Sequence, residues 1–185
     1  MSLPQIVGLS GSTSRPSRTT ALVEAVIEHL SDLGPCRLIE LADEAPHLAA
    51  ALSPAALSGR VAATVAAVEA ADLLVVGTPV YRGSYPGLFK HLFDLVDHRA
   101  LVGKPVVLAA TGGSALHALM IEHQLRPLFG FFNALALPTG IYATEADFDG
   151  YALTGERVRE RAARAAAEAR AQLGLRFPVR IPAIA

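Results

Sequence analysis

Ile6-Val7-Gly8-Leu9-Ser10-Gly11-Ser12-Thr13-Ser14-Arg15-Pro16-Ser17-Arg18-Thr19-Thr20 is the stretch around which the chain is organised. It reads as a short apolar strand, about Gln5 to Leu9, breaking into a hydroxyl-rich loop that opens a helix. A helix start leaves backbone N–H groups without partners and carries the positive end of the helix dipole, so it suits an anion. Ser and Thr add donors without bulk. The loop has neither the Lys of a Walker A loop nor the G-x-G-x-x-G spacing of a dinucleotide site. It suits a terminal phosphate monoester such as that of FMN. Taken alone, the stretch fits an ordinary strand-to-helix turn with a good N-cap equally well.

The chain alternates strand and helix outward from there. Leu22, Val23, Val26, Ile27 and Leu30 fall at helical spacing, predicting a helix from Ser17 to about Leu33 that Gly34-Pro35 stops. Cys36 to Leu41 reads as a second strand, and the polar, Pro-containing segment from Ala42 to Ser53 reads as irregular. Ser53-Pro54 offers an N-cap and a Pro at the first helical position, opening an Ala-rich helix to about Ala71. Leu73 to Gly77 is a continuous apolar run of the kind buried on both faces of a parallel sheet. A helix follows from Leu88 to Val96, with Lys90, His91, Asp94, Asp97 and His98 on its polar side. His91 and His98 read as solvated residues.

Pro105 to Ala110 is the fourth strand, a helix starts near Ala115, and a fifth strand lies near Ala134 to Pro138. The last helix is expected to be capped by Thr154 and stopped by Gly174. This places one domain at residues 1–174, with a tail at 175–185. The alternation predicts an α/β, doubly wound parallel sheet with right-handed crossovers.

Composition narrows the function classes. A formal net charge of −1 over 185 residues gives no basis for a nucleic-acid or membrane partner. One cysteine, Cys36, excludes an internal disulfide and a Cys-based zinc site. No signal peptide or membrane-spanning apolar run is visible, so a cytoplasmic location is expected.

In open α/β sheets ligands bind beyond the carboxyl ends of the strands, where strand order reverses. Three predicted strands end in loops suited to binding. Ser12, Ser17, Arg18 and Thr19 in the first offer a phosphate hydroxyls and a cation. Pro79-Val80-Tyr81-Arg82-Gly83 in the second sets an aromatic and a cation beside a glycine, an arrangement suited to a planar heterocycle. Thr111-Gly112-Gly113-Ser114 in the third offers amides and hydroxyls to the other edge of the ring, although a tight strand-to-helix connection also explains it. Together the loops point to a flavin mononucleotide site.

Gly11-Ser12 to Ser17-Arg18-Thr19, Thr78 to Ser84-Tyr85 and Gly87 to Lys90, and Ala110-Thr111-Gly112-Gly113 to His117 resemble the NAD(P)H-dependent FMN reductase family from about Gln5 to Tyr142. The resemblance implies a flavodoxin-like, five-stranded parallel sheet with helices on both faces. It implies FMN and NADH or NADPH as cofactors, hydride transfer without a dedicated catalytic residue, and FMNH₂ supplied to a monooxygenase partner. His117 to Phe132 looks closer to the methanesulfonate-linked than to the alkanesulfonate-linked type, which has a tyrosine where this chain has His123. The family pattern also places an arginine three residues after the glycine. Here that residue is Ser14, leaving Arg15 and Arg18 as candidates for the phosphate.

Pro127 removes the N–H that would bond the His123 carbonyl, so a kink or π-bulge is expected there. The resemblance implies a bulged helix at a subunit contact, with His123 beside the partner's flavin in a homodimer or homotetramer. Two other readings remain: a quinone or azo reductase with tightly bound FMN, and a flavodoxin-type electron carrier. The near-neutral charge speaks against the carrier.

Overall fold

The computed structural model describes residues 3–57 and 59–177. Its elements, in order, are β1 (Ile6–Ser10), α1 (Arg18–Glu28), β2 (Cys36–Glu40), α2 (Leu41–Leu48), α3 (Gly59–Ala70), β3 (Leu73–Pro79), α4 (Gly87–Leu95) and β4 (Pro105–Gly112). A π-helical turn at Ile121–Leu125 runs into α5 (Arg126–Phe131), followed by β5 (Leu135–Ala136), β6 (Ile141–Thr144), a small hairpin of β7 (Phe148–Asp149) and β8 (Ala152–Leu153), and α6 (Glu156–Arg176).

The sheet runs β2-β1-β3-β4-β5, all parallel, so strand order reverses between β1 and β3. This is the flavodoxin-like order. The fifth position is filled in two pieces. β5 pairs with β4 at Pro105 and Val106, and β6 pairs with it from Ala109 to Gly112. Arg126 occupies the break: its Nη1 donates to the carbonyls of Ala136 and Leu137 at 3.2 and 3.1 Å. Those carbonyls are therefore satisfied without a continuous ladder.

Two apolar clusters flank the sheet. On one side Leu22, Val23 and Val26 of α1 meet Ala162, Ala165 and Ala169 of α6 over Ile6, Leu73, Val75 and Val107. The small alanines let α6 approach closely. On the other side Val61 and Val65 of α3, Phe89 and Phe93 of α4, and Leu125, Phe129 and Phe132 pack over Leu74, Val76 and Val106.

Several expectations are corrected. Residues 41–48 form α2 despite Pro46, because tertiary contacts hold it: Glu44 accepts from Arg60 Nε at 2.8 Å, and His91 bonds the Leu48 carbonyl at 3.0 Å. His91 is thus half-buried and engaged rather than merely solvated. Pro54 opens only a 3₁₀ turn (Pro54–Ala56); the backbone extends at Leu57, and α3 is a separate helix from Gly59. α1 gives way to turns after Glu28 instead of reaching Leu33. After β4, Ala115–His117 is a 3₁₀ turn rather than a full helix. Thr154 does not cap α6, whose N-cap is Gly155, and Gly174 does not stop it, since the helix continues to Arg176. The expected tail lies outside the described residues beyond Phe177.

Lys104 is a buried charged residue held by backbone carbonyls. It is 6 % exposed, and its Nζ donates to the Val68 and Glu69 carbonyls at 3.1 and 2.6 Å, closing the end of α3. Burial is the main cause that lowers its pKa to about 8. The unfolded chain then holds a proton that the folded one lacks between pH about 8 and about 10.5, so stability rises with pH across that window. Urea unfolding of the protein and of Lys104→Met at pH 7 and pH 9.5 tests this. The stability of the native protein relative to the variant is expected to grow by up to about 2 kcal/mol. Parallel pH profiles would show that Lys104 is not perturbed. No helix among the described residues is long and apolar enough to cross a membrane, and no group of metal-ligating side chains occurs among them.

Candidate functional site

Strand register brings the loops together. Ser10 lies opposite Gly77, Gly77 opposite Ala109, and Pro79 opposite Thr111, so β1, β3 and β4 release their chains side by side. The loops are then tied to one another. Gly11 N donates to the Gly77 carbonyl at 2.7 Å, Val80 N donates to the Thr111 carbonyl at 2.8 Å, and the Thr19 and Thr111 hydroxyls bond at 2.6 Å. Between them, at the reversal of strand order, is a cleft of about 250 Å³.

Ser12, Ser17, Arg18 and Thr19 all line that cleft, with different capacities. Ser12 Oγ is spent inside its own loop, donating to the Ser14 carbonyl at 3.1 Å and facing Ser14 N at 3.3 Å. The Thr19 hydroxyl is held by Thr111. Ser17 is the N-cap of α1: its Oγ accepts from Thr20 N at 3.3 Å, which leaves its hydroxyl hydrogen to donate. The first-turn N–H groups of Arg18 and Thr19 have no carbonyl four residues back to bond. The donors available to an anion are therefore those amides, the Ser17 hydroxyl and the Arg18 guanidinium. Arg15 points elsewhere, paired with Glu40 and with Asp43 at 2.9 Å. Of the two arginines it is Arg18 that lines the cleft.

From the second loop Pro79, Val80 and Tyr81 line the cleft, while Arg82 and Gly83 do not. These two are the central residues of a two-residue turn closed by Tyr81 N to Ser84 O at 2.8 Å, with φ of 54° and 82°. Gly83 thus serves the positive φ of the turn; a Cβ there would meet no protein atom. From the third loop Thr111, Gly112 and Gly113 face the cleft. A Cβ at Gly112 would sit 2.2 Å from the Tyr142 hydroxyl, which donates to the Ser114 carbonyl at 2.7 Å. Burial raises the Tyr142 pKa, keeping that phenol a donor. At Gly113 a Cβ would meet nothing within 4 Å, so the backbone there borders open space.

His123 lies apart from the cleft. It sits in the π-turn, where Arg126 N bonds the Ile121 carbonyl, and borders a larger groove between α3, α4 and α5. Within one chain the structure does not bring it to the other candidates. Sequence reading missed the cleft's far wall: Thr144, Glu145, Phe148 and Tyr151. Glu145 Oε1 accepts from Arg18 Nη1 at 2.8 Å, the Gly150 carbonyl accepts from Arg18 Nε at 3.0 Å, and the Tyr151 ring centroid is 5.6 Å from the guanidinium carbon. Asp149-Gly150 was the available signal. Gly150, at φ 59°, is the first central residue of the β7–β8 turn that delivers Tyr151.

Residues 4–149 match the family described as NADPH-dependent FMN reductase. The chain belongs to that family. Across 176 residues the reductase is 56 % identical to the NADH-dependent FMN reductase SfnF of Pseudomonas fluorescens, covering 94 % of each chain. It is 52 % identical over 171 residues to an FMN reductase (NADPH) of Pseudomonas aeruginosa, covering 91 % of each. Among solved structures, an oxidoreductase from Corynebacterium diphtheriae superposes with a TM-score of 0.82 at 34 % identity, over 92 % of this chain and 97 % of that one. The cleft suits the family's flavin: the first-turn amides of α1 and the Arg18 cation line it for a phosphate, and the bare backbone at Gly113 borders it without side-chain obstruction.

Proposed function

We propose that the reductase works in the cytoplasm, takes a hydride from NADH or NADPH, reduces FMN, and releases FMNH₂ to a sulfonate monooxygenase. The observation that carries the reading is the cleft at the β1/β3 reversal. There the N-terminus of α1, Ser17 and Arg18 are offered to a phosphate, with Pro79 to Tyr81 and Thr111 to Gly113 offered to the ring. FMN held there supplies the hydride-accepting centre and carries the electrons away. The chain's own residues bind and orient it. The proposed monooxygenase is a sulfonate enzyme because His117 to Phe132 resembles the methanesulfonate-linked type.

The reductase also self-associates in this reading, as a homodimer or homotetramer, with His123 at the contact. Leu116, Leu119 and Phe131 around the π-turn are exposed, Phe131 by 70 %, which is unusual for a monomer's surface.

Anaerobic turnover with NADH and with NADPH, using free FMN, a quinone and an azo dye in parallel, tests the activity. FMN is expected to be reduced over many turnovers. Turnover of the quinone alone would overturn the reading. Coupling to a purified sulfonate monooxygenase should release sulfite in proportion to NAD(P)H oxidised.

A further inference from the structure

The far wall of the cleft places a carboxylate on the cation that a phosphate needs. Glu145 follows β6 in a one-turn 3₁₀ helix (Glu145–Asp147), and its backbone is fixed there. Asp147 Oδ2 accepts from Thr144 N at 2.7 Å and from Thr144 Oγ1 at 2.9 Å, so Asp147 is committed to capping. Glu145 has no such duty. Its side chain is 67 % exposed and reaches across the cleft mouth to Arg18 at 2.8 Å, while the Arg18 side chain is 35 % exposed.

Arg18 does not need Glu145 to stay in place. Its Nε is held by the Gly150 carbonyl, and its guanidinium lies beside the Tyr151 ring. Those contacts fix the guanidinium from behind, so releasing Nη1 from Glu145 leaves the cation aimed into the cleft. An exposed ion pair of this kind contributes at most about 1 kcal/mol. A phosphate monoester carries up to two charges and can also accept from Ser17 and the first amides of α1, so it outcompetes the carboxylate.

We propose that Glu145 is a built-in competitor for the flavin phosphate: its carboxylate holds Arg18 when the cleft is free and yields it when FMN binds. Loading and release of FMN are then an exchange of anions on one arginine, in which only the Glu145 side chain moves. The carboxylate raises the FMN dissociation constant and speeds release, which suits a flavin that leaves as product. The inference rests on the reading of the cleft as the FMN phosphate site.

The test measures the dissociation constants of FMN and riboflavin, by quenching of flavin fluorescence, for the native protein, Glu145→Gln and Glu145→Ala. Melting temperatures show that the variants fold. Both variants are expected to bind FMN about two- to fivefold more tightly, the range that removing one exposed competing charge allows. Their riboflavin affinity should be unchanged, and FMN dissociation in stopped flow should be slower by a similar factor. If the native protein binds FMN and riboflavin equally, the phosphate reading itself fails. If it prefers FMN and the variants leave that preference unchanged, the competitor role is wrong. Weaker FMN binding by the variants would show instead that Glu145 positions Arg18, and would equally overturn it.

Discussion

Replacing Ser17 and Arg18 together by alanine is expected to raise the FMN dissociation constant by roughly a hundredfold while riboflavin binding changes little. Hydrogen bonds to charged groups contribute about 1.5–3 kcal/mol each. The lower end applies here, because Arg18 is partly exposed and shared with Glu145. Two such contacts at about 1.5 kcal/mol each give about two powers of ten. The double variant also loses the N-cap of α1, because Ser17 Oγ no longer accepts from Thr20 N. That costs about 1 kcal/mol of stability, small enough for the fold to survive and visible as a lowered melting temperature. Ser17→Gly with Arg18→Ala serves as the control, since glycine keeps most of the capping tendency. Unchanged FMN affinity in both would remove the phosphate from this loop, and an equal loss of riboflavin affinity would mean that the cleft had been distorted.

What the sequence made legible follows from where its signals are local. β3 and β4 begin as continuous apolar runs, residues 73–76 and 105–110, too short for a helix and bounded by Gly and Pro, which reads as strand. The π-turn was legible because Pro127 removes an N–H, which is a local fact. α2 was not. Pro46 and the polar residues around it argue for a loop, and the helix exists because Arg60 and His91, distant in sequence, satisfy Glu44 and Leu48. The divided fifth strand was hidden for the same reason. Its break is stabilised by Arg126, on a different element.

The cleft shows the same split. The three loops that open it could be found from strand ends. Glu145 and Tyr151 could not, because what places them beside Arg18 is the 3₁₀ turn after β6 and a hairpin of two-residue strands far along the chain; Asp149-Gly150 marks the hairpin turn but not where it docks. Hydroxyl inventories carry a related ambiguity. Ser12 and Thr19 look like phosphate donors in sequence, and in the structure the Ser12 hydroxyl donates to the Ser14 carbonyl while the Thr19 hydroxyl bonds that of Thr111. The signature of a binding loop and the signature of a well-tied loop use the same residue types.

Phe89→Ala is expected to lower both stability and FMN affinity, whereas Phe93→Ala lowers stability alone. Both rings are buried on α4, their centroids 5.0 Å apart. Phe93 faces inward, against Phe129 at 5.0 Å and Phe132 at 6.1 Å. Phe89 lies beneath the first loop without lining the cleft itself. It lies 5.3 Å from the Tyr85 ring, and a Cβ on Gly11 would fall 2.6 Å from its Cδ2. Its edge is the floor on which the first loop rests. Removing either ring costs about 3–5 kcal/mol, which for a chain of this size lowers the melting temperature by roughly 10 °C. Without Phe89 the backbone at Gly11 loses the surface that sets its height, and its hydrogen bond to Gly77 is left to hold that point of the loop. The amides at the start of α1 then lose their alignment on the phosphate. Phe89→Leu, which keeps most of the volume, should recover most of the stability and part of the affinity. Equal loss of FMN affinity in Phe89→Ala and Phe93→Ala would show that the cleft responds to global loosening rather than to this contact.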